Sequence, residues 1–187
     1  MLMPRKPLFL DRDGVLNRDI TPYVSTLDEF DVFPWTVEAL TMLDRAGFDL
    51  YVISNQQGVA LGITPAEELE KMNARMQSLL APHGFQIRKF YYCTAKMDEE
   101  HEWRKPSPGM VFAARDEFGL DLEGAFFIGD KDTDMECSHS AGTRALLVYS
   151  GVSYPGESIS WGCPPEKEFP TLLEAARWIV SKESGRR

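Results

Sequence analysis

The sequence predicts an α/β fold, a mostly parallel β-sheet with helices on both faces, and three observations carry that reading. Five short runs, rich in β-branched or aromatic residues, are apolar along most of their length, as strands covered on both faces must be. Helical periodicities fill the intervals between them, and this alternation builds a parallel sheet. Each of the first four runs is also followed by a polar cluster, on the carboxyl edge where such sheets bind ligands.

The first run is PLFLD (7–11). Residues 14–33 are too long for a simple turn and contain the alternating FDVF, which predicts a β-like flap over the first strand end. From Pro34 to Ala46, Val37, Leu40 and Leu43 recur at spacings of three, and Gly47 is placed as a helix C-cap. FDLYVISN (48–55) is the second strand. In TPAE (64–67), Thr64 as N-cap, Pro65 in the first turn and Glu67 form a capping box, and Leu69, Met72, Met76 and Leu79 then mark a core face.

IRKFYYC (87–93) is the third strand, and SPGM opens a helix that ends near Gly119. AFFIGD (125–130) is the fourth strand, TDMECSHSA a helix ending at Gly142, and RALLVYS (144–150) the fifth strand. Residues 151–170, with four Pro, three Gly and Trp161, read as irregular. TLLE (171–174) caps a last helix running to about Ser181. A chain of 187 residues without repeats or linkers suits one domain, 1–187, with a core of its own.

Composition narrows the partners. A net charge of −9 and a pI near 4.9 argue against a surface built for polyanions, so no nucleic-acid partner is expected. Cys93, Cys137 and Cys163 are an odd count without a C-x-x-C pair and read as reduced thiols. No apolar run approaches the ~18 to 20 residues that cross a bilayer, so no membrane partner is expected. MLMPRKPLFLD meets charge too early for a signal peptide, which predicts a cytoplasmic protein, a monomer or weak homo-oligomer.

The polar strand ends carry the chemistry. Asp11 and Asp13, one residue apart, would alone be an ordinary acidic turn. Ser54-Asn55-Gln56 ends the second strand, Lys105 follows the third in RKPSPGM, and GDKDTD ends the fourth with Asp130 and Asp134. Three to four carboxylates converging on one sheet edge need a cation, and hard oxygen ligands favour Mg²⁺.

In that order, D-x-D-G, S-N-Q, R-K-P-x-P-G-M and G-D-K-x-x-D resemble the haloacid-dehalogenase-like phosphatases, closest to the branch of heptose-bisphosphate and histidinol-phosphate phosphatases. The resemblance spans about Leu8 to Gly151 and implies a Rossmann-like sheet. It also implies hydrolysis of a small phosphorylated substrate, a sugar phosphate or histidinol phosphate, through an aspartyl-phosphate. On that resemblance Asp11 is the nucleophile and Asp13 the acid and base. Asp11, the Asp13 main-chain carbonyl and Asp130 hold Mg²⁺, with Asp134 supporting. Ser54 and the Asn55 N–H hold phosphoryl oxygens, and Lys105 neutralises phosphate and nucleophile. Arg104 meets a phosphate or substrate anion.

Some residues stay open or read as bland. Asp19, Asp28 and Asp31 read as solvated; Arg12 and Asn17 touch substrate or lie at the surface; Lys131 meets the nucleophile edge or is exposed. His83 and His139 read as surface or helix-end residues.

Two departures from the family pattern follow. Neither motif interval has room for an inserted cap, so the site is capless. Relatives carry a zinc loop, C-x-H…C-x-C-R-K-P, whereas this chain places Cys93, Ala95, His101 and Trp103 at those positions. Two ligands of four make no structural site, so structural zinc is not expected. A capless polynucleotide 3′-phosphatase shares D-x-D-G and R-K-P-x-x-G-M, but the acidic balance weighs against it. A response-regulator receiver domain would need an aspartate at the end of the third strand, where this chain has YYCTA.

Overall fold

In the computed structural model, which describes residues 5–184, six parallel strands form one sheet in the order β3-β2-β1-β4-β5-β6. Residues 1–4, the start of the stretch weighed as a leader, and 185–187 lie outside the described residues. The strands are β1 (Lys6–Leu10), β2 (Phe48–Asn55), β3 (Lys89–Cys93), β4 (Phe126–Gly129), β5 (Arg144–Val148) and β6 (Lys167–Phe169). The helices are α1 (Thr36–Arg45), α2 (Ala66–Leu80), α3 (Gly109–Phe118), α4 (Asp132–Ala141) and α5 (Leu172–Ser184).

Period-two alternation splits the apolar strands between two cores. Leu8, Leu10, Leu50, Val52, Phe126 and Ile128 cluster with Leu40 and Leu43 of α1, Met72 and Met76 of α2, and Ala175 and Ile179 of α5. Phe9, Tyr51, Ile53 and Phe127 cluster instead with Met110, Val111 and Ala114 of α3 and with Cys137 and Ala141 of α4. Each such fully buried large side chain contributes roughly 1.5–3 kcal/mol relative to exposure. Register then aims the polar ends: Leu10 lies opposite Val52 on one side and Ile128 on the other, so β1, β2 and β4 finish along one edge.

Several boundaries differ from the sequence reading, each for a local reason. β3 starts at Lys89, because the Ile87 N–H and carbonyl are already taken by the Gln77 side chain of α2, at 3.0 and 2.8 Å. The capping box at 64–67 does not form. Pro65 is the N-cap, the Thr64 N–H closes a turn on the Gly58 carbonyl at 3.0 Å, and the Thr64 hydroxyl is buried with no partner among the described residues. Leu80 rather than Leu79 completes the buried face of α2.

The flap contains no strand. Asn17 makes isolated bridges to Asp13 and Val32, and Leu27–Glu29 form a short 3₁₀ turn. It is tied down by the Glu68 carboxylate of α2, which accepts from the Leu27 N–H at 2.7 Å. Within the irregular 151–170 stretch lies the edge strand β6, whose KEF carries too little apolar signal to be read. Thr171 does cap α5, accepting from the Leu173 N–H at 3.2 Å and bonding the Glu174 carboxylate.

Candidate active site

Asp11 follows β1, its N–H donating to the Ile128 carbonyl of β4 at 2.9 Å, which places its side chain between the two central strands. Its Oδ1 lies 2.8 Å from the Lys105 ammonium, which also lies 2.6 Å from Asp134 Oδ1 and donates to the Ile53 carbonyl at 3.0 Å. Lys105 is only 5 % exposed, so its charge is concentrated on these carboxylates. Burial alone would lower the Lys105 pKa, but Asp11 and Asp134 reverse this and hold it above its usual range. Burial alone would raise Asp11, yet Lys105 and Lys131 outweigh it, so Asp11 is held as the anion, the form a nucleophile needs.

Asp130 is the odd partner. Its Oδ2 accepts the Val152 N–H at 3.1 Å, while its Oδ1 is buried with no hydrogen-bond partner among the described residues. Burial drives its pKa well up; Lys131 opposes, and the charges of Asp11 and Asp134 add to the rise. Asp11, Asp130 and Asp134 each bring an oxygen within 4.8 Å of the others. Three hard, buried carboxylates with one orphaned oxygen fit a divalent cation such as Mg²⁺.

Two glycines make room for this carboxylate. A Cβ on Gly14 or Gly151 would fall 2.4 or 1.9 Å from Asp130 Oδ2, and Gly14 also has a φ of +84°. Asp134 is engaged on both oxygens, Oδ1 with Lys105 and Oδ2 accepting the Asp130 and Lys131 N–H groups at 3.1 and 3.2 Å. That suits a supporting residue.

A cavity of about 610 Å³, a size suited to a small molecule, is lined by Asp11 and Asp134 but not by Asp130. Ser54, Asn55, Arg104, Lys105 and Asp13 all line it. The Asn55 side chain bonds both the N–H and the carbonyl of Lys105, each at 3.0 Å, and so fixes the lysine. Arg104 donates to the Ala95 carbonyl at 2.8 Å and to Gln57 at 3.5 Å, neutral partners that leave its charge available at the mouth.

Three of the open or bland readings change. Asp19 is not simply solvated, because it pairs with Lys131 at 3.0 Å across the cavity rim. Asn17 is fully buried and donates to Asp13 Oδ1 at 2.8 Å. Arg12 is neither a surface nor a substrate group; it is 1 % exposed and paired with Asp13. Gln56 also donates to Asp13, at 2.7 Å, and to Ser54 Oγ at 3.0 Å. The only sequence signal for these contacts was proximity to D-x-D and S-N-Q.

The loop before Lys105 packs on the core. Trp103 lies against the α3-side core and meets Tyr91 edge-on, with ring centroids 6.0 Å apart. Cys93 is buried in that core, whereas His101 is exposed and its Nδ1 accepts the Trp103 N–H at 3.0 Å.

A parallel sheet ending in this aspartate–lysine–aspartate edge defines a phosphoryl-transfer enzyme, and the chain belongs to the haloacid-dehalogenase-like phosphatases. The family model described as HAD-hyrolase-like matches residues 102–175. The chain is 40 % identical over 146 residues to a D-glycero-beta-D-manno-heptose-1,7-bisphosphate 7-phosphatase of Pseudomonas putida, covering 78 % of this chain and 83 % of that one. It is 41 % identical over 177 residues to the D-glycero-D-manno-heptose-1,7-bisphosphate 7-phosphatase of Chlorobaculum tepidum, covering 88 % and 86 %. Among solved structures, the D,D-heptose 1.7-bisphosphate phosphatase from B. bronchiseptica, complexed with magnesium and phosphate, superposes with a TM-score of 0.86 at 28 % identity, over 95 % of this chain and 99 % of that one. No helix among the described residues is long and apolar enough to cross a membrane.

Proposed function

We propose that this chain removes the 7-phosphate of a D-glycero-D-manno-heptose 1,7-bisphosphate, with Asp11 as the nucleophile. The observation that carries the chemistry is Asp11 Oδ1, ionised and 2.8 Å from Lys105 on the cavity floor. The names of the relatives support the substrate.

Mg²⁺ held by Asp11, Asp130 and the Asp13 carbonyl, with Asp134 in support, would neutralise charge on the transferring phosphoryl group. Ser54 and the Asn55 N–H orient the phosphoryl oxygens, and Lys105 screens them from Asp11. An Asp11 oxygen bonds to phosphorus as the ester P–O bond breaks, and the leaving sugar oxygen takes a proton from Asp13. Water then gives Asp13 one of its own protons as its oxygen attacks phosphorus, and the P–O bond to Asp11 breaks. Arg104 at the mouth takes the second anionic group.

Phosphate release from heptose 1,7-bisphosphate, histidinol phosphate and a 3′-phosphorylated oligonucleotide tests the proposal. The heptose is expected to give the highest kcat/KM and to retain its 1-phosphate. Preference for either of the others would overturn the substrate.

We also infer that Trp103 packing, not zinc, holds 94–103. Metal analysis of protein prepared without added metal or chelator is expected to find no stoichiometric zinc. Trp103→Ala is expected to destabilise the protein by less than the ~3–5 kcal/mol of a core Trp, since the ring is half-buried. Turnover should fall ~10- to 10²-fold as Arg104 and Lys105 lose their setting. One zinc per chain, lost on replacing Cys93 or His101, would contradict this.

A further inference from the structure

Arg12 is among the largest fully buried side chains of the protein, in the middle of its first acidic motif. Its guanidinium lies over the rings of the flap's Phe30 and of Tyr92, 5.8 and 5.9 Å from their centroids, with Met72 Sδ 3.5 Å from Nη1. At 1 % exposure it cannot reach a substrate in the cavity. A buried guanidinium is costly unless paired and hydrogen-bonded, so the pair it makes defines what it is for.

That pair is with the neighbouring Asp13, and it is two-pronged. Nε donates to Asp13 Oδ1 at 3.1 Å and Nη2 to Oδ2 at 2.9 Å. Asn17 Nδ2 adds a second donor to Oδ1 at 2.8 Å, and Gln56 Nε2 a second to Oδ2 at 2.7 Å. Four donors fill the acceptor capacity of one carboxylate and leave it a single orientation. The same Nη2 donates to Gln56 Oε1 at 3.0 Å, joining the loop after β1 to the loop after β2. The Arg12 carbonyl in turn accepts the Leu16 N–H at 2.8 Å, so the turn that carries Asp13 closes on Arg12 at both ends.

We propose that Arg12 is a positioning residue for proton transfer, holding the Asp13 carboxylate where it meets the leaving and attacking oxygens. This rests on the acid–base reading of Asp13 given above. The four donors are not equivalent in the cycle. An Asp13 oxygen that carries a proton must release one donor, and Gln56, whose other N–H stays on Ser54 Oγ at 3.0 Å and whose Oε1 stays on Arg12, remains anchored when it lets go. Gln56 yields; Arg12, buried against two rings and bonded to both oxygens, stays and keeps the carboxyl aimed.

Leaving-group dependence separates positioning from general damage. A nitrophenyl phosphate forms the aspartyl-phosphate without needing a proton on its phenolate, whereas an alkyl phosphate needs one; dephosphorylation needs Asp13 in both. In Arg12→Met, rapid mixing is expected to show a stoichiometric nitrophenolate burst at near wild-type rate, then steady turnover slowed ~10²-fold. Turnover of a sugar phosphate should fall by a similar factor with KM little changed. Arg12→Lys keeps the buried charge but not the fork, and is expected to lose ~10-fold in steady state with the same preserved burst. This second variant serves if the first does not fold.

Loss of burst and steady turnover together, or wild-type behaviour of Arg12→Lys, would overturn the proposal. Asp13→Asn is the control. If it too leaves turnover within ~10-fold, the acid–base reading itself fails. If it slows turnover while sparing the burst and the Arg12 variants do not, only the role of Arg12 fails.

Discussion

Asp11→Asn is expected to abolish turnover while the protein stays folded. An amide oxygen is too weak a nucleophile to form the acyl-phosphate, and loss of a covalent nucleophile can cost on the order of 10⁶ in kcat. Phosphate-ester hydrolysis is slow enough without an enzyme that little background turnover would mask the loss. The fold should survive because Lys105 is not orphaned by the change. It keeps Asp134 Oδ1 at 2.6 Å and the Ile53 carbonyl at 3.0 Å, and the Asp11 N–H keeps its bond to β4. The measurement is phosphate release alongside the melting temperature, with intact mass excluding deamidation back to aspartate. Turnover above ~1 % of wild type in folded, amide-bearing protein would remove Asp11 from the nucleophile role.

How much of this site was readable before the structure depends on what each residue leaves in a sequence. Asp11, Ser54, Lys105 and Asp130 stand at or after apolar runs, so a two-residue alternation and a parallel topology sufficed to bring them to one edge. The same logic placed β1 to β5 and α1 to α5, since strands covered on both faces and amphipathic helices write their burial into their pattern. It failed for β6, a three-residue edge strand with one buried residue, and for the flap, whose alternation is answered by loop bridges and not by a ladder.

It failed too for Arg12, Asn17 and Gln56. A polar side chain buried through partners looks like any surface residue until those partners are in place. Phe30 and Tyr92, which cover Arg12, lie 18 and 80 residues away in the chain. Asn55 left its backbone N–H readable as a phosphate donor, but the job of its side chain, clamping Lys105 fifty residues away, was not.

Asp130→Ala should be the most damaging change outside the nucleophile, and its effect should be legible without an assay of turnover. Asp130 Oδ1 is buried with no hydrogen-bond partner among the described residues, and Asp11, Asp130 and Asp134 each bring an oxygen within 4.8 Å of the others, an arrangement that a proton or a further cation relieves. A ligand bound only by the folded state at ~100 times its Kd adds about 2.7 kcal/mol, roughly a 5 to 10 °C rise in melting temperature for a chain of this size. Wild type is expected to show that rise with Mg²⁺ and to lose it, with turnover, in excess chelator. In Asp130→Ala the rise should vanish and turnover at high Mg²⁺ should fall ~10³-fold or more, since a positive charge on the phosphoryl oxygens is worth several kcal/mol. Gly151 offers an independent check, because its missing Cβ is what lets Val152 hold Oδ2 and leave Oδ1 open. Gly151→Ala should therefore weaken the Mg²⁺-dependent rise while keeping all three carboxylates. A full rise in Asp130→Ala would place the cation on Asp11 and Asp134 alone, and wild-type turnover in excess chelator would take it out of the reaction.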